Sequence, residues 1–308
     1  SYSSRWIVKH RPNELVFDFC NSNEVSAWSQ IGTITPDHVI RTKGLPCLFG
    51  TDLFVSNNDQ NNLIDISARC LLIEDGKRLV LIDSGMGNKQ SEKFFSYYSL
   101  WGDDTLERSI NNAGFSLEDV TDVFFTHLHF DHCGGAIKRS GAGFEPVFKN
   151  AAYWTNKKHW NWAINPNKRE VASFLKENLL PIEETGRLRF LSEVNGAFSY
   201  TNELGFEVFY ADGHTEKQML PIISYNGQKI AFAGDLIPTA GHVPVPYVMG
   251  YDVRPLTTLK EKNFFLNYAV ENNVFLFLEH DSVNEVVSLK KTDKGVRINE
   301  ILKCEDVF

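Results

Sequence analysis

Thr126-His127-Leu128-His129-Phe130-Asp131-His132-Cys133-Gly134-Gly135 decides how this chain is read. The run follows the apolar residues 123–125 and brings three imidazoles and a carboxylate into the pattern His-x-His-x-Asp-His. With nine histidines in 308 residues, chance yields that pattern in about four of ten thousand such chains, so it reads as a motif. In extended backbone, side chains two apart share a face, so His127 and His129 can grip one cation. Leu128 and Phe130 are then expected to point the other way, into the core. The chain next turns to offer Asp131 and His132, and Gly134-Gly135 is expected to let a helix start without a Cβ clash.

Outward from this run, short β-branched and aromatic stretches recur at residues 70–73, 79–82, 123–125, 206–210, 229–233 and 274–278. They read as strands. Glu74-Asp75-Gly76-Lys77 and Tyr225-Asn226-Gly227-Gln228 carry the Asp-Gly and Asn-Gly pairs of tight hairpins, so antiparallel pairing is expected at both. Apolar residues three or four apart predict helices over 105–112, 156–163, 169–179 and 256–271, with Thr155 as N-cap of the second. Strand groups with helices interposed, twice over, predict an α/β (α+β) chain. Its expected form is an αββα sandwich of two mixed β-sheets with helices outside. No Gly-, Ser- or Pro-rich linker and no repeat divides it, so residues 1–308 read as one domain with an N-terminal elaboration over about residues 1–65.

Composition narrows the function. Hydrophobic residues make up 43% and charged residues 23%, values of an ordinary folded protein. A formal charge of -8 opposes a nucleic-acid partner, because that affinity comes largely from clustered Lys and Arg; Lys157-Lys158 and Lys168-Arg169 read as solvated helix faces. Cys20, Cys47, Cys70, Cys133 and Cys304 form no C-x-x-C pair, which suits a reducing compartment. No apolar run of about eighteen residues indicates a membrane span. A cytoplasmic location is the expectation, and a removed leader stays open because the chain does not begin with Met.

The remaining motifs stand in chain order: Leu81-Ile82-Asp83-Ser84-Gly85, Asp212-Gly213-His214-Thr215, Gly234-Asp235 and Glu279-His280-Asp281, each at the end of a predicted strand. Together with the histidine run they resemble the metallo-β-lactamase superfamily over most of residues 70–280, and its fold is the αββα sandwich. The resemblance implies that His127, His129 and His214 hold one metal, that Asp131, His132 and His280 hold another, and that Asp235 bridges them. It makes Asp131 and Asp235 catalytic and Asp83 an outer residue orienting the ligands. His10, His38 and His159 fall outside every motif and read as ordinary histidines, and Cys133 as a small packed residue.

Two divalent ions that share a water can lower its pKa and hold it as hydroxide against a carbonyl or phosphoryl centre. The implied activity is therefore hydrolysis of a small-molecule ester, lactone or phosphotriester. Zinc is the favoured metal, with iron or manganese compatible with the same ligands. An iron-dependent redox or dioxygenase member and, more weakly, a nuclease are the alternatives; a homodimer is compatible with either. The stretch from Asp235 to Asp252 resembles the branch of quorum-quenching lactonases and organophosphate hydrolases. Where the best-known acyl-homoserine lactonases carry a substrate-activating tyrosine, three positions after the bridging Asp, this chain has Pro238. His242, Tyr247 and Tyr251 are the candidates to bind substrate in its stead. Tyr153, Trp154, Trp160 and Trp162 either wall an apolar pocket or anchor a helix on the core.

Overall fold

The computed structural model describes residues 65–307 apart from 101, 103, 193–195, 201 and 226. Ile66–Phe308 forms one compact unit. The elaboration expected over about residues 1–65, with His10, His38, Cys20 and Cys47, lies outside the described residues but for Asp65.

In chain order the strands are β1 (Leu71–Glu74), β2 (Leu79–Ile82), β3 (Asp122–Phe124), β4 (Ile137–Ser140), β5 (Gly143–Pro146), β6 (Ala152–Thr155), β7 (Leu188–Phe190), β8 (Phe198–Ser199), β9 (Glu207–Ala211), β10 (Gln218–Tyr225), β11 (Gln228–Phe232), β12 (Val274–Phe277), β13 (Val286–Thr292) and β14 (Gly295–Leu302). The helices are α1 (Glu92–Phe95), α2 (Leu106–Asn112), α3 (Phe130–Cys133), α4 (Lys157–Ile164), α5 (Lys176–Glu184), α6 (Pro255–Glu271) and α7 (Cys304–Val307). One sheet has the order β1-β2-β3-β6-β7, the other β14-β13-β12-β11-β10-β9-β8, and β4 and β5 form a separate ribbon. Both large sheets mix parallel and antiparallel pairs, as β2 with β3 and β11 with β12 are parallel.

Both hairpins form as their turn residues dictate. Asp75 Oδ1 accepts from the Lys77 and Arg78 amides at 2.9 and 2.7 Å, Gly76 takes φ +80°, and β1 returns antiparallel as β2. Gly227, also at φ +80°, links antiparallel β10 and β11.

Period-two alternation sorts the side chains into layers. Val80, Ile82 and Phe124 meet Val208, Tyr210, Met219, Ile230 and Phe232 between the sheets. Leu79, Leu81, Val123 and Phe125 face outward, against Ile110 of α2, Trp160 of α4 and Ile182 of α5. Phe209, Leu220, Ala231 and Leu276 face the opposite outside, under Phe265, Leu266 and Ala269 of α6. The result is the αββα sandwich.

Four local expectations give way to tertiary contacts. Asn156, not Thr155, caps α4: its Oδ1 accepts from the His159 amide at 2.9 Å, while Thr155 still belongs to β6, opposite Phe190. The helix expected over 169–179 begins only at Lys176, because Asn167 Oδ1 accepts from the Arg169 and Glu170 amides and folds that stretch into a turn. Phe130 opens α3 and packs on Phe94 and Tyr98, with ring centroids 5.2 Å away in each case, instead of entering the core. Gly134 and Gly135 follow α3 and open a short 3-10 turn, Gly134–Ala136, rather than a long helix. A Cβ on Gly134 would sit 2.2 Å from Met86 O, and one on Gly135 1.9 Å from Ser84 O. They exist for close approach of the loop after β2.

The strand ends set the position of the chemistry. The C-terminal ends of β2, β3, β9, β11 and β12 deliver Asp83, residues 126–132, His214, Asp235 and His280 in turn. Because β2 runs parallel to β3, and β9 and β11 both run antiparallel to β10, these ends gather at one edge of the sandwich.

Gly135→Ala should therefore lower the unfolding free energy by at least ~2 kcal/mol through backbone overlap. Gly143→Ala, where a Cβ would meet only Ser140 O at 3.8 Å, should change it by less than ~0.5 kcal/mol. Chemical denaturation of the two variants checks the difference.

Candidate metal centre

Asp83 closes β2 in the left-handed region, at φ 55°, a conformation held here by its carboxylate. Thr126 donates to it twice, from its amide at 2.7 Å and from its hydroxyl at 2.6 Å. A hydroxyl has one proton, and Thr126 gives it to Asp83, so Thr126 Oγ1 can only accept from His127 Nδ1, 3.1 Å away. That places the His127 proton on Nδ1 and leaves Nε2 with a free lone pair.

The same reasoning fixes the other four rings. His132 Nδ1 lies 3.0 Å from Asp83 Oδ2, His214 Nδ1 3.0 Å from Asp252 Oδ1, and His280 Nδ1 2.7 Å from the carbonyl of Ser67. Each partner can only accept, so each Nδ1 donates and each Nε2 is the inward atom. His129 is turned the other way. Its Nε2 faces Glu170 Oε1 at 3.4 Å, and its Nδ1 is the inward atom.

The five inward nitrogens converge in two groups. His129 Nδ1 is 3.0 Å from His127 Nε2 and 3.1 Å from His214 Nε2; His132 Nε2 is 3.3 Å from His280 Nε2. Lone pairs that close repel unless a cation lies between them. Nitrogens bound tetrahedrally at about 2.0–2.1 Å would themselves be about 3.3 Å apart. Asp235 stands between the groups. Its Oδ2 is 3.1 Å from His214 Nε2 and 3.9 Å from His127 Nε2, and its Oδ1 is 3.0 Å from His280 Nε2 and 3.4 Å from His132 Nε2. The residues present therefore fit two cations sharing one carboxylate, and His127, His129, His214 and Asp235, with His132, His280 and Asp235, are the side chains that could hold them.

Asp131 borders the second group, 3.7 Å from His132 Nε2 and 4.0 Å from His280 Nε2, and its side chain keeps 26% exposure. Glu279, fully buried, also reaches that group, but it approaches His132 on the Nδ1 side, at 3.1 Å. It shares that face of the ring with Asp83, and Asp131 shares the inward face.

The electrostatics follow from burial. All five rings and Asp235 are under a tenth exposed. At His127, burial and the neighbouring His132 and His129 push the imidazole well below its usual range. Burial also works against charge on His280, but Asp235 and Glu279 outweigh it and raise that ring to about 10. Asp235 is held well below the carboxylate range, since His132, His214 and His280 outweigh the cost of burying it.

The outer residues were not legible as motif members. Glu170, 3% exposed, also accepts from Thr215 Oγ1 at 2.6 Å and Trp162 Nε1 at 2.8 Å, and these bonds hold its pKa down to about 2 against burial. Glu261 of α6 takes the Asp212 and Gly213 amides at 2.8 and 2.9 Å, clamping the approach to His214. His159 is a core histidine: it accepts from the Leu128 amide, between His127 and His129, at 2.8 Å, and burial pushes it down to about 3. Cys133 is packed near Leu128 O, with burial lifting its thiol to about 12. Tyr153 and Trp160 are fully buried core anchors, and Trp154 donates to Asp122 at 2.6 Å.

Of the substrate-binding candidates, His242 is half-buried, with Nδ1 2.7 Å from Thr239 Oγ1. Burial and Lys262 push it down to about 4, and Asp235 and His280 lie within its electrostatic reach. Tyr247 is half-buried and Tyr251 is 78% exposed. Burial raises the Tyr98 hydroxyl, and the charges of Asp131 and Tyr251 raise it further.

Among the described residues no helix is long and apolar enough to cross a membrane. No curated protein matches the chain. Among solved structures, a probable metal-dependent hydrolase from Staphylococcus aureus is similar at a TM-score of 0.69 and 23% identity, covering 89% of this chain and 91% of its own. AidC, a dizinc quorum-quenching lactonase in complex with its product, gives 0.63 and 23%, covering 79% and 83%. The hydrolase AbOPH, of the beta lactamase superfamily, gives 0.61 and 20%, covering 80% and 83%. These likenesses concern the fold. A sequence model described as aldolase class II, second domain, matches residues 1–68. The model of the metallo-beta-lactamase superfamily matches residues 64–270, more than half of the chain, and takes in every converging side chain but His280. With two mixed sheets, a strand-end edge and this histidine–carboxylate cluster, the chain belongs to the metallo-beta-lactamase superfamily and is a metal-dependent hydrolytic enzyme.

Proposed function

We propose that the chain is a dinuclear, lactonase-like hydrolase that opens a lactone or cleaves a carboxylic ester, with aryl phosphotriesters as related substrates and zinc as its metal. The observation that carries this reading is the division of Asp235, one oxygen toward His127 and His214 and the other toward His132 and His280. In it His127, His129 and His214 would hold one ion, His132, His280 and Asp131 the other, and Asp235 would serve both. Bound there, two divalent cations supply a water of lowered pKa and a Lewis acid for the substrate oxygen.

The chain's own residues do the rest. Asp131, the most exposed of the set, is placed to take the proton of the attacking water. His242 stays neutral at pH 7. In the tautomer whose Nδ1 accepts from Thr239 Oγ1, Nε2–H serves as a neutral donor to a carbonyl or leaving-group oxygen, a role Pro238 cannot fill. Tyr247 and Tyr251 flank the substrate. Phe130, between His129 and Asp131, builds an aromatic wall with Phe94 and Tyr98, matched to an acyl chain or aryl group. The likeness to a dizinc lactonase supports the metal and the substrate class.

Zinc-loaded protein should turn over a p-nitrophenyl ester, a γ-lactone or an aryl phosphotriester, and a chelator should abolish this until zinc is restored. His129→Ala should lower kcat/KM by at least about 10³-fold. Activity that survives both chelation and His129→Ala, or protein that carries iron with visible absorbance, would contradict the reading. Glu170→Gln should weaken metal binding by about 10–100-fold, measured by competition with a chromophoric chelator; unchanged affinity would show that Glu170 does not orient His129.

A further inference from the structure

Lys262 lies on α6 with no solvent exposure, although a lysine is rarely fully buried unless its charge is well partnered. Its Nζ donates to two main-chain carbonyls, Pro244 O at 3.0 Å and Tyr247 O at 2.5 Å. Burial lowers its pKa to about 7, with Asp252 working in the other direction. An apolar side chain would avoid that desolvation cost, so the ammonium's presence calls for a reason in what it holds.

What it holds is the segment between Asp235 and Asp252. That stretch leaves the end of β11, carries His242 and Tyr247, and returns at Asp252, whose Oδ1 fixes His214. Its internal main-chain bonds form a 3-10 turn at Ala240–His242 and separate turns, Tyr247 N to Pro244 O and Asp252 N to Met249 O. Such turns do not stiffen sixteen residues. From the outer side Arg169 donates to Gly250 O at 2.8 Å and Asp252 O at 3.2 Å. At its start the segment is held by Asp281 Oδ2, which accepts from the Ala240 amide at 2.9 Å, and by the His280 amide, which donates to Pro238 O at 3.1 Å; Lys262 is the inner hold on its Pro244–Tyr247 part.

We propose that Lys262 is a positioning residue: its ammonium pins Pro244 and Tyr247 so that the segment bearing His242 and Tyr247 is shaped for substrate before binding. This rests on the hydrolase reading for its kinetic consequence, and on geometry alone for its effect on the segment. A preorganised segment lowers the ordering cost of binding, so the loss should fall on KM.

The test compares metal-loaded wild type with Lys262→Met, which removes charge and donors, and Lys262→Gln, which keeps two N–H donors on a shorter arm. For the best ester or lactone substrate, Lys262→Met should raise KM by about tenfold with kcat within about threefold, and Lys262→Gln should fall between. Limited proteolysis should cut residues 240–252 of Lys262→Met about tenfold faster than in wild type at unchanged metal content. Wild-type KM and wild-type cleavage, or a fall in kcat at constant KM, would overturn the proposal. If wild type turns over no substrate, the hydrolase reading fails and the cleavage rates still decide Lys262; if Lys262→Met does not fold, Lys262→Gln is judged on the same two readouts.

Discussion

The structure depends on one electrostatic constraint: lone pairs and a carboxylate forced together where water cannot screen them. Asp235 and the inward nitrogens of His127, His129, His132, His214 and His280 lie within 3.0–3.9 Å of one another in the pairs that touch. At low dielectric such proximity is costly without positive charge at the centre. The outer nitrogens of His127, His132, His214 and His280 already face acceptors, so whatever relieves the crowding, proton or cation, enters on the inward side. Divalent cations relieve it directly, which is why the outer hydrogen bonds matter as much as the rings.

Those outer bonds tie the sandwich together. Asp83 from β2 reaches Thr126 and His132 beyond β3, so one carboxylate sets two rings, His132 directly and His127 through Thr126. Ser67 sets His280 from the start of the described chain, and its hydroxyl lies 2.5 Å from Glu279 O and 3.0 Å from Asp281 O, with one proton to give between them. On the far side α6 packs so close to Gly213 that a Cβ there would meet Thr258 Oγ1 at 2.2 Å, and Glu261 and Lys262 of the same helix hold the segments on either side of His214 and Asp252. The site is therefore shaped by elements from both sheets, and shifting any strand end would move a ligand.

Much of this was legible in the sequence because it is locally encoded. Period-two runs gave strands correct to about one residue, Asp-Gly and Asn-Gly gave both hairpins, and His127, His129, His132, His214, Asp235 and His280 were named before their convergence was seen. What escaped depends on partners distant in the chain. Glu170 stands in a stretch whose spacing suggested helix, and only Asn167, folding that stretch into a turn, brings it to His129. Phe130 alternates with core residues in the sequence, yet the chain has already turned into α3 by that point. Asn156 outcompetes Thr155 as a cap because Thr155 is still committed to the β6–β7 ladder. Asp252 and Ser67 have no motif of their own; each is recognised only from the ring nitrogen it faces.

The central claim is that this crease binds two cations sharing Asp235. An anomalous difference map from crystals of the zinc-loaded protein, collected at the zinc edge, tests it most directly. The account predicts two peaks, one among His127, His129 and His214 and one among His132, His280 and Asp131, with Asp235 touching both. A single peak, or zinc bound away from Asp235, would contradict it.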